Sequence, residues 1–534
     1  VTRLTAFDHS TSPPGIQVPR LYNAAHDLLE RNLQAGRTDK LAYVDDRSAC
    51  TYGELARRVN RFASALLAMG LRREERVLIC MHDTIDWPVA FLGAIKAGVV
   101  PVAVNTLLKR QDYEYMLRDS RARVLFVSQA LLPSFEGLLD GAIESLQQVV
   151  VSAAPGGDAS PFDAMLSRGT DVFEPAPTVA DEACFWLYSS GSTGAPKGCV
   201  HVHASLMHTA GLYGIPVLGV SEHDVVFSAA KLFFAYGLGN ALSFPLAVGA
   251  TTVLMAERPT PEAVFRRLKG EAPASGLKPT VYCGVPTLYA AMLANEGFPS
   301  RQQLSLRVCA SAGEALPEQI GARFSERTGV EILDGIGSTE MLHIFLSNRT
   351  GSVRYGTTGQ PVPGYEIRLL DEQGGAVADG EVGDLYIRGA SSAAAYWNQR
   401  ERSRTTFQGE WTRSGDKYVR DAQGYYTYAG RSDDMLKVSG QYVSPFEVES
   451  ALSSHDAVLE AAVVGASDAD TLVKPKAFVV LKPGHTGDEA MREALKAHVK
   501  SRLAPFKYPR WIEFVAELPK TATGKIQRFR LRAN

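Results

Sequence analysis

From about residue 75 to 335, short apolar runs alternate with stretches whose apolar positions recur every three or four residues. Residues 77–80, 100–104 and 124–127 read as strands, with helical patterns over 86–98 and 110–119 between them. The alternation resumes with strands at 251–255, 281–284 and 307–310, and with helices at 261–268, 287–293 and 317–327. It predicts an α/β fold in which doubly wound, mainly parallel sheets form a large N-terminal domain, with ligands gathering at the C-terminal ends of the strands. Beyond Gly351 the pattern changes to Gly and Asp turns between short aromatic strands such as Tyr425-Tyr426-Thr427-Tyr428. That texture predicts a small barrel-like β subdomain over about 351–432. The run Arg431-Ser432-Asp433-Asp434 marks a second break, so the domains expected are 1–432 and 433–534. The latter reads as a small α+β domain whose helix, 489–503, sets Met491, Ala494, Leu495, Val499 and Leu503 on one face.

Composition narrows the function. The 534 residues exceed one ordinary core, and 56 basic residues against 58 acidic ones leave no surplus to attract nucleic acid or anionic lipid. The six cysteines are scattered without a C-x-x-C pair and mostly lie in apolar strand-like runs, so reduced core residues are expected. The beginning of the sequence has no secretory pattern, and the longest apolar window, 91–104, contains Lys96 and Pro101. A cytoplasmic protein without membrane or nucleic-acid partners is the expectation.

Chemistry concentrates first in Ser189-Ser190-Gly191-Ser192-Thr193-Gly194-Ala195-Pro196-Lys197-Gly198, which follows an apolar run ending Phe185-Trp186-Leu187-Tyr188. Glycines let backbone N–H groups turn inward, hydroxyls donate and lysine adds a cation, which together suit a polyphosphate. A Walker loop would need Gly before the lysine and Ser or Thr after it, but Pro196 and Gly198 stand there. No G-x-G-x-x-G opens a helix after a strand, so a dinucleotide fold is excluded as well. The run resembles the phosphate loop of the acyl-adenylate-forming superfamily, which includes acyl-CoA synthetases, adenylation domains and luciferases.

Further motifs follow in that family's order, from about Tyr52 to Gln527. Tyr52-Gly53-Glu54-Leu55 and Lys96-Ala97-Gly98 resemble early structural motifs and are given packing roles. Ser311-Ala312-Gly313-Glu314-Ala315 resembles the loop flanking the adenine, which implicates Gly313, Glu314 and Ala315. In Asp334-Gly335-Ile336-Gly337-Ser338-Thr339-Glu340, a hydroxyl and a carboxylate follow a Gly-rich turn. They would suit a phosphate and a Mg²⁺ bridging its oxygens, with a helix N-cap as the plainer alternative. The resemblance gives Thr339 and Glu340 the catalytic part, Glu340 the magnesium contact through phosphates, and Asp334 a place in the ATP site. The family usually carries an aromatic residue where Ile336 stands, so apolar contact replaces stacking there. Asp416 resembles the acceptor of both ribose hydroxyls, Arg431 a second ribose or phosphate contact, and Asp433 the hinge of the small domain. Ser439 and Gly440 match a path for the CoA arm. Lys525, within Pro519-Lys520-Thr521-Ala522-Thr523-Gly524-Lys525-Ile526, takes the place of the catalytic lysine.

The resemblance implies attack of a carboxylate on the α-phosphate of ATP, release of pyrophosphate, and an acyl-adenylate. The segment 231–240 is aromatic and glycine-rich, and with Met341-Leu342-His343-Ile344-Phe345 it looks like benzoate–CoA ligases. It implies a flat pocket bounded by Ala235, Tyr236, Gly337, His343 and Ile344, which takes an aryl carboxylate. Coenzyme A is the expected acceptor, because the sequence stops seven residues after Gln527 with no carrier domain. ATP, Mg²⁺ and CoA are therefore the cofactors and co-substrates implied. The alternatives are ligation of a hydroxybenzoate, 2-aminobenzoate or furoate, or loading of a separate carrier; a homodimer is an open state.

Overall fold

The computed structural model describes residues 4–153, 159–189, 195–271, 276–432, 434–438, 441–468, 473–504, 507–520 and 526–532. Its first large sheet has seven strands in the order Ala395–Tyr396, Lys197–Val202, Ala183–Ser189, Val100–Ala103, Arg76–Cys80, Val124–Ser128 and Gln148–Ser152. The last five run parallel, and Lys197–Val202 turns back antiparallel against Ala183–Ser189. A second sheet of nine strands runs parallel from Ile332–Gly337 through Val308–Ser311, Val281–Gly284, Val225–Ser228 and Thr251–Val253 to Leu41–Val44. The alternation in the sequence thus corresponds to two mainly parallel sheets, and the strand and helix positions match within a residue or two.

Parallel strands must be covered on both faces, so they read as unbroken apolar runs. The helix Asp86–Lys96 shows how far this burial goes: every one of its residues is buried. Trp87 stacks on Phe91 at 4.9 Å, and Phe91 meets Phe185 of the first sheet at 5.4 Å. A helix that is apolar on all sides has no solvent face to offer. Lys96 ends it with its ammonium 2.5 Å from Asn60 Oδ1, because a buried cation needs an acceptor. The Tyr52 motif does have the structural role expected of it. Thr51 and Glu54 form a reciprocal capping box at the head of the helix Tyr52–Ala68, with bonds of 3.2 and 2.8 Å. Such a cap contributes about 1 kcal/mol.

After residue 351 the chain forms an antiparallel sheet of Glu366–Leu370, Val382–Arg388 and Trp411–Arg420, with Phe407–Gln408 and Tyr426–Arg431 both paired to the long strand. The C-terminal part holds a three-stranded sheet, Val458–Ser467, Val473–Leu481 and Trp511–Phe514, covered by the helices Pro445–Ser453 and Glu489–Lys500. Leu495 and Val499 enter its core beside Val448 and Leu452, with Met491 and Leu503 packed at the edge. Ala494 is exposed and does not join that face. Its place on the helix turns it outward, and a single methyl provides little burial to resist this. All six cysteines are free and buried. Among the described residues, no helix is long and apolar enough to cross a membrane.

Candidate active site

The phosphate-loop residues Ser190, Gly191, Ser192, Thr193 and Gly194 lie outside the described residues, but both stems of the loop are described. Ser189 and Lys197 are register partners at the end of an antiparallel pair. The chain therefore turns back as a hairpin at the C-terminal end of Ala183–Ser189, instead of entering a helix as in a Walker loop. Lys197 and Ser189 converge there on Glu340. The Ser189 hydroxyl donates to Glu340 Oε1 at 3.4 Å, and Lys197 Nζ stands 3.9 Å from the same oxygen. Tyr396, which sequence reasoning missed, donates to Oε1 at 2.6 Å and accepts from Lys197 at 3.2 Å.

Thr339 and Glu340 sit in a turn between the strands Ile332–Gly337 and Ile344–Ser347, and no helix follows them. The N-cap alternative is thereby excluded. The turn is fixed from below by His201, whose Nε2 donates to the Thr339 carbonyl at 2.7 Å. His201 stacks on Phe185 at 5.3 Å, and burial holds its imidazole down to about 4. It is therefore neutral at pH 7 and acts as a fixed N–H donor. His201 was also missed, since nothing near it in the sequence points to Thr339.

The same turn aims His343. Leu342, buried at 2 % exposure, takes φ +65°, a left-handed conformation rare for a branched side chain. Such a residue costs about 1–3 kcal/mol and persists only where packing enforces it. The His343 ring then lies among Phe244 at 4.5 Å, Tyr213 at 5.2 Å and Tyr236 at 5.5 Å. Its Nε2 donates to the Tyr236 carbonyl at 3.2 Å, and burial pushes its pKa down to about 3. Close approach is possible because Gly239 has no side chain. A Cβ there would stand 2.3 Å from His343 Cδ2. At Gly337 a Cβ would meet the His343 carbonyl at 2.5 Å. Ile344 is buried, and Ala235 and Tyr236 are half-buried against the same core. The structure thus brings Tyr236, Gly337, His343 and Ile344 together in an uncharged, mostly apolar cluster.

On the nucleotide side, the loop carrying Gly313, Glu314 and Ala315 follows the strand Val308–Ser311, and Gly313 takes φ +95°. Asp334 is buried beneath it, and its Oδ2 accepts from Leu316 N at 3.5 Å. Burial pushes this carboxyl well above the usual carboxylate range. Asp416 and Arg431 are register partners, with Nη1 3.2 Å from Oδ1.

Lys525, Asp433, Ser439 and Gly440 lie outside the described residues. The base of the Lys525 loop is nevertheless closed. Lys520 and Ile526 form an antiparallel bridge, and Gln527 N donates to the Pro519 carbonyl at 2.8 Å. Arg528 then grips Glu449 through two bonds of 3.0 and 2.6 Å, and Arg532 pairs with Asp434 beside the expected hinge.

The stems of the phosphate loop and the partly buried Glu340 carboxylate thus meet, and a carboxylate–arginine pair lies on the antiparallel sheet that follows. The chain belongs to the AMP-binding enzymes: that family matches residues 29–397, and its C-terminal domain matches residues 447–525. It is 63% identical over 532 residues to a benzoate–CoA ligase of Thauera aromatica, covering 99% of each chain. A solved benzoate CoA ligase from Burkholderia xenovorans LB400 superposes with a TM-score of 0.88 at 58% identity, covering 96% of this chain and 100% of that one. The anthranilate CoA ligase AuaEII, solved with anthranoyl-AMP, gives 0.90 at 45% identity over 97% and 98%.

Proposed function

We propose that this protein is an ATP-dependent ligase that joins benzoate to coenzyme A through a benzoyl-adenylate. A benzoate oxygen attacks the α-phosphorus of ATP, the bond to the β-phosphate oxygen breaks, and pyrophosphate leaves. The CoA sulfur then attacks the acyl carbon of the mixed anhydride, its proton is lost to solvent, and AMP departs with the phosphate oxygen.

The observation that carries this reading is the continuity of two surfaces through one six-residue turn. Thr339 and Glu340 face the stems of the phosphate loop, and His343 closes a ring-shaped apolar wall three residues later. A flat ring gains about 25 cal/mol for each Å² it buries there. Neutral His343 and the neighbouring aromatic rings offer the wall no charge, so the acid's carboxylate is left to the phosphate side.

Glu340 fits the magnesium expected with ATP. Its contacts within the described residues all fall on Oε1, which leaves Oε2 for a cation. Glu340 would hold Mg²⁺ there, and the ion would supply positive charge against the phosphates. Among the described residues no cluster of three metal ligands exists, in keeping with an ion that arrives with the nucleotide. Asp416 and Arg431 are assigned the ribose, and Gly313, Glu314 and Ala315 the adenine edge. Lys525 is assigned the charge gathering between carboxylate and α-phosphate, and rotation at Asp433 would then withdraw it and bring Ser439 and Gly440 to the thiol.

A second reading is favoured by the Tyr236 hydroxyl, buried in the wall beside the Cys283 thiol and without an oxygen or nitrogen partner among the described residues. It would suit a ring bearing a hydroxyl or amino group. The test is direct. Purified protein given Mg²⁺, ATP, CoA and each ring acid in turn should release AMP and pyrophosphate in step with benzoyl-CoA, and should accumulate benzoyl-AMP when CoA is omitted. Faster turnover of a substituted acid would favour the second reading. No adenylate from any ring acid would overturn both.

A further inference from the structure

Glu340 and Lys197 are opposite charges in a partly buried place, with side-chain exposures of 16% and 19%, yet they do not touch. Tyr396 stands between them. Its strand pairs with the phosphate-loop strand, with Tyr396 opposite Cys199, which brings its ring beneath Lys197 at 4.5 Å from Nζ. Phe407 packs against the ring at 5.2 Å and helps keep it in place. From there the phenol donates to Glu340 Oε1 and accepts from Lys197. The same segment holds the Glu340 backbone, since Ala393 N donates to the Glu340 carbonyl at 2.8 Å. Burial and the adjoining carboxylate raise the phenol far above its ordinary range, so it stays a donor across the working pH.

We propose that Tyr396 is a positioning residue that keeps Lys197 and Glu340 from closing on each other, so that the lysine stays available to a phosphate and Glu340 Oε2 to the ATP-borne cation. The physical reason is a competition. Two opposite charges at this depth attract strongly, and a direct ion pair would use the donors of one and the oxygens of the other. The phenol satisfies the attraction at one oxygen only. It takes one ammonium proton, gives its own proton to Oε1, and holds the charges 3.9 Å apart. Ser189 adds to the crowd on Oε1, and none of these three contacts uses Oε2. Without the hydroxyl, Lys197 would close on Glu340, and each would have to be separated again before ATP could bind.

This inference rests on the proposed role of Glu340 toward the metal, and its test separates the two. Tyr396→Phe keeps the ring, its cation–π contact and its packing on Phe407, and removes one oxygen. Binding of the magnesium complex of a non-hydrolysable ATP analogue is measured by calorimetry. Benzoyl-adenylate formation in a single turnover is followed as Mg²⁺ is varied. Thioester formation is measured separately from supplied benzoyl-adenylate. The variant is expected to bind the analogue about tenfold more weakly and to need about tenfold more Mg²⁺ for half-maximal adenylation, the scale of one charge-assisted hydrogen bond. Its thioester step should stay within about twofold, because by then the pyrophosphate has gone. In a Glu340→Gln background the same substitution should have almost no further effect on the Mg²⁺ requirement, since the pair it regulates is gone. A folded Tyr396→Phe protein with an unchanged Mg²⁺ midpoint, or an effect that persists in full beside Glu340→Gln, overturns the inference. Normal Mg²⁺ dependence in Glu340→Gln alone overturns the metal assignment and the inference with it.

Discussion

Asp416 and Arg431 face each other directly across two antiparallel strands, and the guanidinium reaches the carboxylate at 3.2 Å. The pairing holds the buried Asp416 side chain in place. A carboxylate can accept from two vicinal hydroxyls at once, as a ribose requires. Asp416→Asn replaces one acceptor by a donor at constant shape. The KM for ATP should rise about tenfold or more, while the KM for benzoate and the melting temperature barely move. A benzoate KM that rises in parallel would place Asp416 elsewhere.

The role proposed for Lys525 confines it to the first half-reaction. Lys525→Ala should reduce benzoyl-adenylate formation by at least about a hundredfold, because a cation opposite developing charge in a closed site contributes several kcal/mol. Conversion of supplied benzoyl-adenylate and CoA to benzoyl-CoA should be nearly intact. Rapid-quench assays of each half-reaction read this directly, and equal loss of both would refute the division of labour.

Gly239 is the point at which the aromatic wall admits no extra atom. Gly239→Ala sets a methyl 2.3 Å from His343 Cδ2, so the ring must shift from its place in the wall. Overpacking of this kind costs about 1–3 kcal/mol. The expected outcome is a benzoate KM raised about tenfold or more in pyrophosphate exchange, with the ATP KM within about twofold. An ATP effect as large as the benzoate effect would show that the wall and the phosphate side are not separately built.

His201 predicts a pH dependence of stability. Burial lowers its pKa to about 4, whereas an unfolded histidine titrates near 6.5. Between those values the unfolded chain binds a proton here that the folded chain does not. This site therefore costs stability as pH falls from about 6.5 toward 4, by up to about 1.4 kcal/mol per unit, and has no such effect at higher pH. His201→Gln keeps an N–H for the Thr339 carbonyl and removes the titration. In urea unfolding at pH 7, 6 and 5, the gap between the parent and this variant should narrow as the pH falls. A gap constant across that range would mean that His201 titrates alike in the folded and unfolded chains.

Much of the fold was legible because strand–helix alternation and apolar runs are local properties. The helix 261–268 was placed to the residue, most others fall within one or two, and the helix expected over 489–503 ends three residues earlier, at Lys500. Ala494 was misplaced because a periodic pattern cannot say how far a sheet extends beneath a helix. The hairpin form of the phosphate loop was not visible either, since the residues of a turn do not reveal whether the next strand runs parallel or back. Of the residues that meet around Glu340, Ser189 and Lys197 stood in one compact motif. Tyr396 was not found, because its partner Glu340 lies 56 residues away and a Tyr-Trp pair in a strand looks like packing.

The order of residues along the chain, without further help, determined the two-sheet architecture, the nucleotide chemistry and the family, because glycines, hydroxyls and a lysine at fixed spacing already constrain what their backbone can hold. Only the tertiary structure decided which of those groups meet. His201 reaches Thr339 across 138 positions, His343 seats on Gly239, and Tyr396 stands between Lys197 and Glu340. Each of these contacts depends on sheet pairing and on the space between packed side chains, and those arise only when distant segments are brought together and water is removed.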